Sequence, residues 1–138
     1  MKKTSALFAI LASGLLSSCC ISEDTMNAIH RQKNGPPIEH VVLVWLNEPG
    51  NAAVKAKMIA AARTFPKEIP GILSMSIGDA VPSDRDMVDD SFDLGLVIRF
   101  KDKAALDAYE KHPVHVKAAK EVLGPNASKL KVYDVVVK

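Results

Sequence analysis

Ile38-Glu39-His40-Val41-Val42-Leu43-Val44-Trp45-Leu46 is rich in β-branched residues and almost continuously apolar, with no Gly or Pro until Pro49. Such a run predicts a β-strand. Alternation sends His40, Val42, Val44 and Leu46 to one face and Val41, Leu43 and Trp45 to the other. Both faces therefore require cover.

The segments that follow supply part of it. Asn51 is placed to cap a helix in which Val54, Met58, Ala61, Ala62 and Phe65 form an apolar stripe, and Pro66 and Pro70 are expected to end it. Gly71 to Gly78 predicts a second strand, with Leu73, Met75 and Ile77 on one face and Ser74 and Ser76 on the other. The interval from Asp79 to Ser91 contains Pro82, Ser83 and five aspartates. It reads as a solvated loop, because Asp84, Asp86, Asp89 and Asp90 lack the spacing, central Gly and terminal Glu of a calcium loop. Phe92 to Phe100 predicts a third strand, with Phe92, Leu94, Leu96, Ile98 and Phe100 on one side. Asp102 can cap the next helix, where Ala105, Leu106 and Tyr109 share a face. Beyond Pro113 a further helical piece carries Val116, Ala119 and Leu123 and stops at Gly124-Pro125. Leu130 to Val137 predicts the last strand.

The resulting order, β-α-β-β-α-β, places two helices against one face of one sheet in a ferredoxin-like α+β arrangement. The opposite face stays open although the first strand is apolar on both sides. A second copy joined through an isologous interface is the expected cover, so a homodimer is predicted.

Chemistry-bearing residues concentrate in Tyr109-Glu110-Lys111-His112-Pro113-Val114-His115, in a chain with only two Tyr and four His. Pro113 ends one helix and starts another. An imidazole that is partly neutral near pH 7 can act as a base, and a phenol can steady an enolate, so His115 and Tyr109 are candidate catalytic residues. Tyr109 could equally fill core with its hydroxyl satisfied at the rim. Candidate ligand-binding residues are His40, His112 and Trp45. For each there is a structural alternative: a satisfied core histidine, a helix cap before Pro113, and a core or interface tryptophan. His112 and His115 lack a third ligand at suitable spacing, so neither a metal nor another cofactor is expected.

Taken together, these residues resemble the stress-responsive A/B barrel domain family, whose fold is a dimeric α+β barrel. The resemblance runs from Ile38 to Val136. It rests on Ile38-Glu39-His40-Val41-Val42, on Pro70-Gly71-Ile72 and Gly78, on Phe100 followed by Ala105-Leu106, on the Tyr109–His115 stretch and on Tyr133-Asp134. In a plant polyketide cyclase of that family, a tyrosine and a histidine of the same Tyr-x-x-His-Pro-x-His pattern close a ring, and a histidine of the first strand lines the site. The resemblance thus implies Tyr109 and His115 as a catalytic pair, with His40 beside them. Two functions stand open: a module binding a small apolar or aromatic ligand, in a stress-related role, or a cyclase or lyase that moves a proton.

Upstream of the domain, Met1-Lys2-Lys3, the apolar run Ala6 to Leu16 and Leu16-Ser17-Ser18-Cys19 follow the charged, apolar and small-residue order of an export signal. Eleven helical residues span only ~16 Å against a hydrocarbon core of ~30 Å. Residues 1–18 are accordingly expected to be a signal peptide, and Leu-Ser-Ser-Cys resembles a bacterial lipobox with Cys19 as the lipidated residue. Cys20 stands where inner-membrane retention usually requires Asp. The expected address is the periplasmic side of the outer membrane, with residues 19–37 as a flexible tether of roughly 23 Å and residues 38–138 as the domain. Both cysteines, Cys19 and Cys20, fall at this junction, leaving the domain without disulfides or thiolate ligands. Loss of Lys2 and Lys3 lowers Lys+Arg from 18 to 16, equal to Asp+Glu. No basic field remains for nucleic acid. Metabolic labelling with a radioactive fatty acid should mark the wild-type chain and not Cys19→Ala; equal labelling of the two, or of neither, refutes the lipid anchor.

Overall fold

The computed structural model describes residues 22–138. The expected signal segment and the Cys19 lipidation site lie outside the described residues. Among those described, no helix is long and apolar enough to cross a membrane.

The described residues begin with a helix, α1 (Glu23–Asn34), where a flexible tether was expected. Its apolar content is too sparse to show a periodicity, and local signals form it instead. The Ser22 hydroxyl accepts from the Thr25 N–H at 3.3 Å, and Glu23 and Asp24 face the positive end of the helix dipole. Gly35, at φ +89°, follows its last turn.

Four strands, β1 (Ile38–Leu46), β2 (Ile72–Gly78), β3 (Leu94–Phe100) and β4 (Ala127–Val136), form one antiparallel sheet in the order β2-β3-β1-β4. The first crossover holds α2 (Ala52–Ala62) and the short α3 (Phe65–Glu68). The second holds α4 (Lys103–Lys111), α5 (Pro113–Ala118) and a π-helical segment, Ala119–Leu123. This is the ferredoxin-like arrangement predicted from the order of elements. Asn51 and Asp102 cap α2 and α4 as expected, accepting from the Val54 and Ala105 N–H groups at 3.0 and 2.8 Å.

Four local expectations require correction. Pro66 does not terminate the α2 stripe but lies in the first turn of α3, where its missing N–H is harmless. In β2 the register shifts between Ile72 and Ser74, so Leu73 bulges outward, 58% exposed, while Ile72, Met75 and Ile77 meet the core. Phe92 precedes β3 and packs edge-on against Trp45, on the face away from the helices. Val116 is exposed, and Val114, Ala118 and Val122 turn inward in its place, beside Leu123 as expected.

The apolar interior falls into two clusters. One gathers Phe65, Ile98, Phe100, Leu106 and Tyr109, and the other Val42, Val44, Leu46, Met58 and Leu94. At the first, β2 begins hard against α4. Gly71 has φ +92°, and a Cβ there would stand 2.6 Å from Ala105 Cβ. Only glycine meets both demands. Gly71→Ala should therefore cost at least ~2 kcal/mol in denaturant unfolding, whereas Gly78→Ala, with open space around the added carbon, should stay within ~0.5 kcal/mol.

Candidate functional site

A cavity of about 480 Å³ lies between the helix-facing side of the sheet and the inner surfaces of α2, α4, α5 and the π-helical segment. It borders both core clusters. All four strands contribute to its floor: His40, Val42 and Val44 follow one another at alternate positions of β1, with Val132 and Leu130 of β4 opposite Val42 and Val44, and Leu94, Leu96 and Ile77 come from β3 and β2. β4 is an edge strand, and Leu130 and Val132 are 43% and 50% exposed. Its roof includes Met58, Ala118, Val122 and Leu123. The π-helical turn inserts a residue into the α-helical course and so re-aims these last side chains.

At one end the cavity is polar. Tyr109, on the buried face of α4, is 2% exposed, and its ring lies among Phe65, Phe100 and His40, with centroids 5.7, 5.0 and 5.7 Å away. His115 reaches the same place from the first turns of α5. Its ring sits 4.1 Å from that of Tyr109 at 34°. The break at Pro113 makes this possible, because a continuous helix would place residues six apart on different faces. His40 enters from β1, buried at 6% exposure. The structure thus brings together three of the predicted site residues, Tyr109, His115 and His40.

The hydrogen bonds of these groups define what remains free. His40 Nδ1 lies 2.7 Å from Asp134 Oδ1, and a carboxylate can only accept, so Nδ1 carries a proton and donates it to Asp134, leaving Nε2 free of protein partners among the described residues. His115 Nδ1 is 3.2 Å from the Glu110 carbonyl oxygen, which likewise places a proton on Nδ1. Neither Nε2 nor the Tyr109 hydroxyl has a hydrogen-bond partner among the described residues. Burial, opposed by the bond to Glu110 and reinforced by the proximity of His40, lowers the His115 pKa below its ordinary value. It is neutral near pH 7. Burial, aided by the Glu110 charge, pushes the Tyr109 phenol above its ordinary value, so it stays protonated. The site therefore holds one neutral base, one O–H donor and a second imidazole oriented by a carboxylate.

Asp134 was not foreseen as a site residue. Its signal was in the sequence: it shares a strand face with Leu130, Val132 and Val136, and an acid on an apolar face lies opposite a histidine on an apolar face. His112 and Trp45, by contrast, are not among the cavity-lining residues. His112 is the cap of α5, its Nδ1 accepting from the Val114 N–H at 3.3 Å. Trp45 lies on the other face of the sheet, where its Nε1 donates to Ser91 Oγ at 3.0 Å and Lys129 sits 4.1 Å over its ring. Among the described residues no group of three or more His, Cys, Asp or Glu is gathered as a metal ion would require.

The model of the Stress responsive A/B Barrel Domain (Dabb) matches residues 38–137. The chain belongs to this family. Solved structures agree with the fold. A Dabb family protein with a ferredoxin-like fold from Mesorhizobium loti is 21% identical, covering 75% of this chain and 98% of its own, with a TM-score of 0.62. A dimeric ferredoxin-like protein of unknown function from Jannaschia sp. is 26% identical over 73% of this chain and 99% of its own, also at 0.62. The hydroxynitrile lyase from Passiflora edulis is 16% identical over 75% and 94%, at 0.66. No curated protein matches the sequence.

A cavity-lining side chain contributes little packing, so His115→Ala should change unfolding free energy by no more than ~1 kcal/mol, whereas Leu106→Ala, 2% exposed, should cost ~2–5 kcal/mol. Because the folded chain holds His115 below its ordinary pKa, the unfolded chain binds that proton first, and stability falls as pH drops below about 6.5. Denaturant melts between pH 7.5 and 5 should show a shallower decline in His115→Ala than in the wild type.

Proposed function

We propose that this domain is a ligand-binding module of the bacterial envelope, exported, anchored through Cys19 and dimeric, whose cavity receives a small apolar or aromatic molecule. The observation that carries this reading is the combination of an almost wholly apolar cavity of about 480 Å³ with three polar atoms at one end that have no partner among the described residues, two of them on residues more than nine-tenths buried. Buried polar groups are nearly always paired, and a ligand's polar end would complete them. The remaining walls would recognise shape and apolar area.

Dimerisation is supported by the second face of the sheet. Val97, Tyr133 and Val135 are 39%, 50% and 51% exposed there, next to Val41 and Leu43. Together they form a larger apolar surface than a monomer usually exposes, and structural neighbours are described as dimeric. The anchor rests on Leu16-Ser17-Ser18-Cys19 alone.

A second reading, a cyclase or lyase acting by proton transfer, is favoured by one observation. His115 is neutral with its Nδ1–H committed to Glu110, so Nε2 is a ready base beside the Tyr109 hydroxyl. Nε2 would remove a proton α to a carbonyl while the phenol donates a hydrogen bond to the developing enolate oxygen.

Protein purified from its own cells should release a small, largely apolar molecule on denaturation, detected by mass spectrometry, and Val44→Trp should abolish its retention. Equal retention by Val44→Trp argues against the cavity as its place. If the proton-transfer reading holds, a ketone held there should exchange its α-hydrogens with D2O by NMR, and His115→Ala should abolish the exchange. Light scattering of residues 20–138 should give a dimer at micromolar concentration; a stable monomer refutes that part.

A further inference from the structure

The cavity has a pattern of charge as well as of shape, and it restricts the class of molecule that can enter. Of its lining residues only His40, Tyr109, Glu110 and His115 are polar, and none is Lys or Arg. Two carboxylates stand at the polar end, Glu110 on the wall and Asp134 behind His40, while Lys103, whose charge reaches both, does not line the cavity. His115 adds no positive charge near pH 7. An anionic ligand placed there would lose its hydration, meet no permanent cation and face two negative charges, a combination that proteins avoid.

The hydrogen-bonding complement is equally specific. Tyr109 offers an O–H donor and His115 Nε2 a lone pair, because the Nδ1–H of His115 is already used by Glu110; the Nδ1–H of His40 is likewise taken by Asp134, so His40 meets a ligand through Nε2 alone. A hydroxyl matches both kinds of partner, and a carbonyl oxygen matches the phenol. From this end the floor runs along β1 to Val44, four residues and ~13 Å away, past Met58, Leu94 and Leu123.

We infer that the cavity takes an uncharged alcohol, phenol or ketone with an apolar body up to roughly 13 Å long, its oxygen placed among Tyr109, His40 and His115, and that it excludes carboxylates and phosphate esters. This rests on the cavity being a ligand site, and the test separates the two claims.

The probes are 4-butylacetophenone and 4-butylbenzoate, closely matched in size and differing in charge, titrated into the wild-type chain at pH 7.5 and followed by NMR. The ketone should bind saturably and the benzoate roughly tenfold or more weakly. Val132→Lys adds a cation to the cavity wall at a half-exposed position where a long side chain is tolerated, and it should reverse the order of the two probes. Leu130→Lys, on the same wall, serves if that variant does not fold. Benzoate binding as tightly as the ketone to the wild type overturns the charge selection and leaves the pocket intact. Binding of neither probe overturns the pocket reading and this inference with it.

Discussion

Strand β1 is hydrogen-bonded along both edges, to β3 from Ile38 to Val44 and to β4 from Ile38 to Leu46. Pairing on both sides satisfies its backbone, so its alternating side chains are committed to one face or the other without freedom to slip. Everything else is referred to this strand. Its helix-facing residues, Ile38 to Leu46 at alternate positions, are all buried, and they supply both core and cavity floor. His40 is the exception to the apolar series, and the register that sets it opposite Asp134 gives it a partner 2.7 Å away. A shift of one residue in β4 would place Tyr133 or Val135 there, leaving a buried imidazole unpaired.

Against this fixed floor the helices make a roof that is not closed. Two apolar clusters form where α3 and α4 press on one end of the sheet and α2 on the other. Between them α5 and the π-helical segment touch both clusters through Val114, Ala118, Val122 and Leu123 yet leave the cavity beneath them. A packed interior tolerates few such voids unless they are used, because lost dispersion contacts and lost burial both destabilise. The proline break at Pro113 and the π-helical turn at Ala119–Leu123 are the two irregularities of the second crossover, and both bear on this opening. Irregular helix geometry of this kind is frequent at functional sites.

Polar function is confined in the same economical way. The two histidines of the site each use Nδ1 on a protein acceptor and leave Nε2 toward the remaining space, and the phenol between them has no partner of its own among the described residues. Local burial then keeps Tyr109 protonated and His115 neutral. Both proposed readings, recognition of an uncharged oxygen and removal of a proton from an enolisable substrate, draw on this one arrangement. The opposite face of the sheet is chemically separate: Trp45, Phe92, Ser91 and Lys129 join there in an aromatic and hydrogen-bonded patch beside the surface suited to a second copy.

By itself the sequence determined the order of elements, the caps at Asn51 and Asp102, the four strands and the clustering of Tyr109 with His115, because periodicity and turn chemistry are local properties of the chain. Helix α1 escaped notice since capping and dipole terms, rather than an apolar stripe, define it. The outward bulge of Leu73 and the turning of Phe92 toward Trp45 depended on strand register and on space over Gly95, where the Phe92 ring comes within 3.2 Å of where a Cβ would stand. No local pattern records such facts. Tertiary structure also decided which candidates meet: His40 and Asp134 are 94 residues apart in sequence and are joined only by β1–β4 pairing. His112, three residues from His115, was directed to a helix end instead. Proximity along the chain places a residue on an element, but the side chain's neighbours are set by which faces of distant elements must exclude water together.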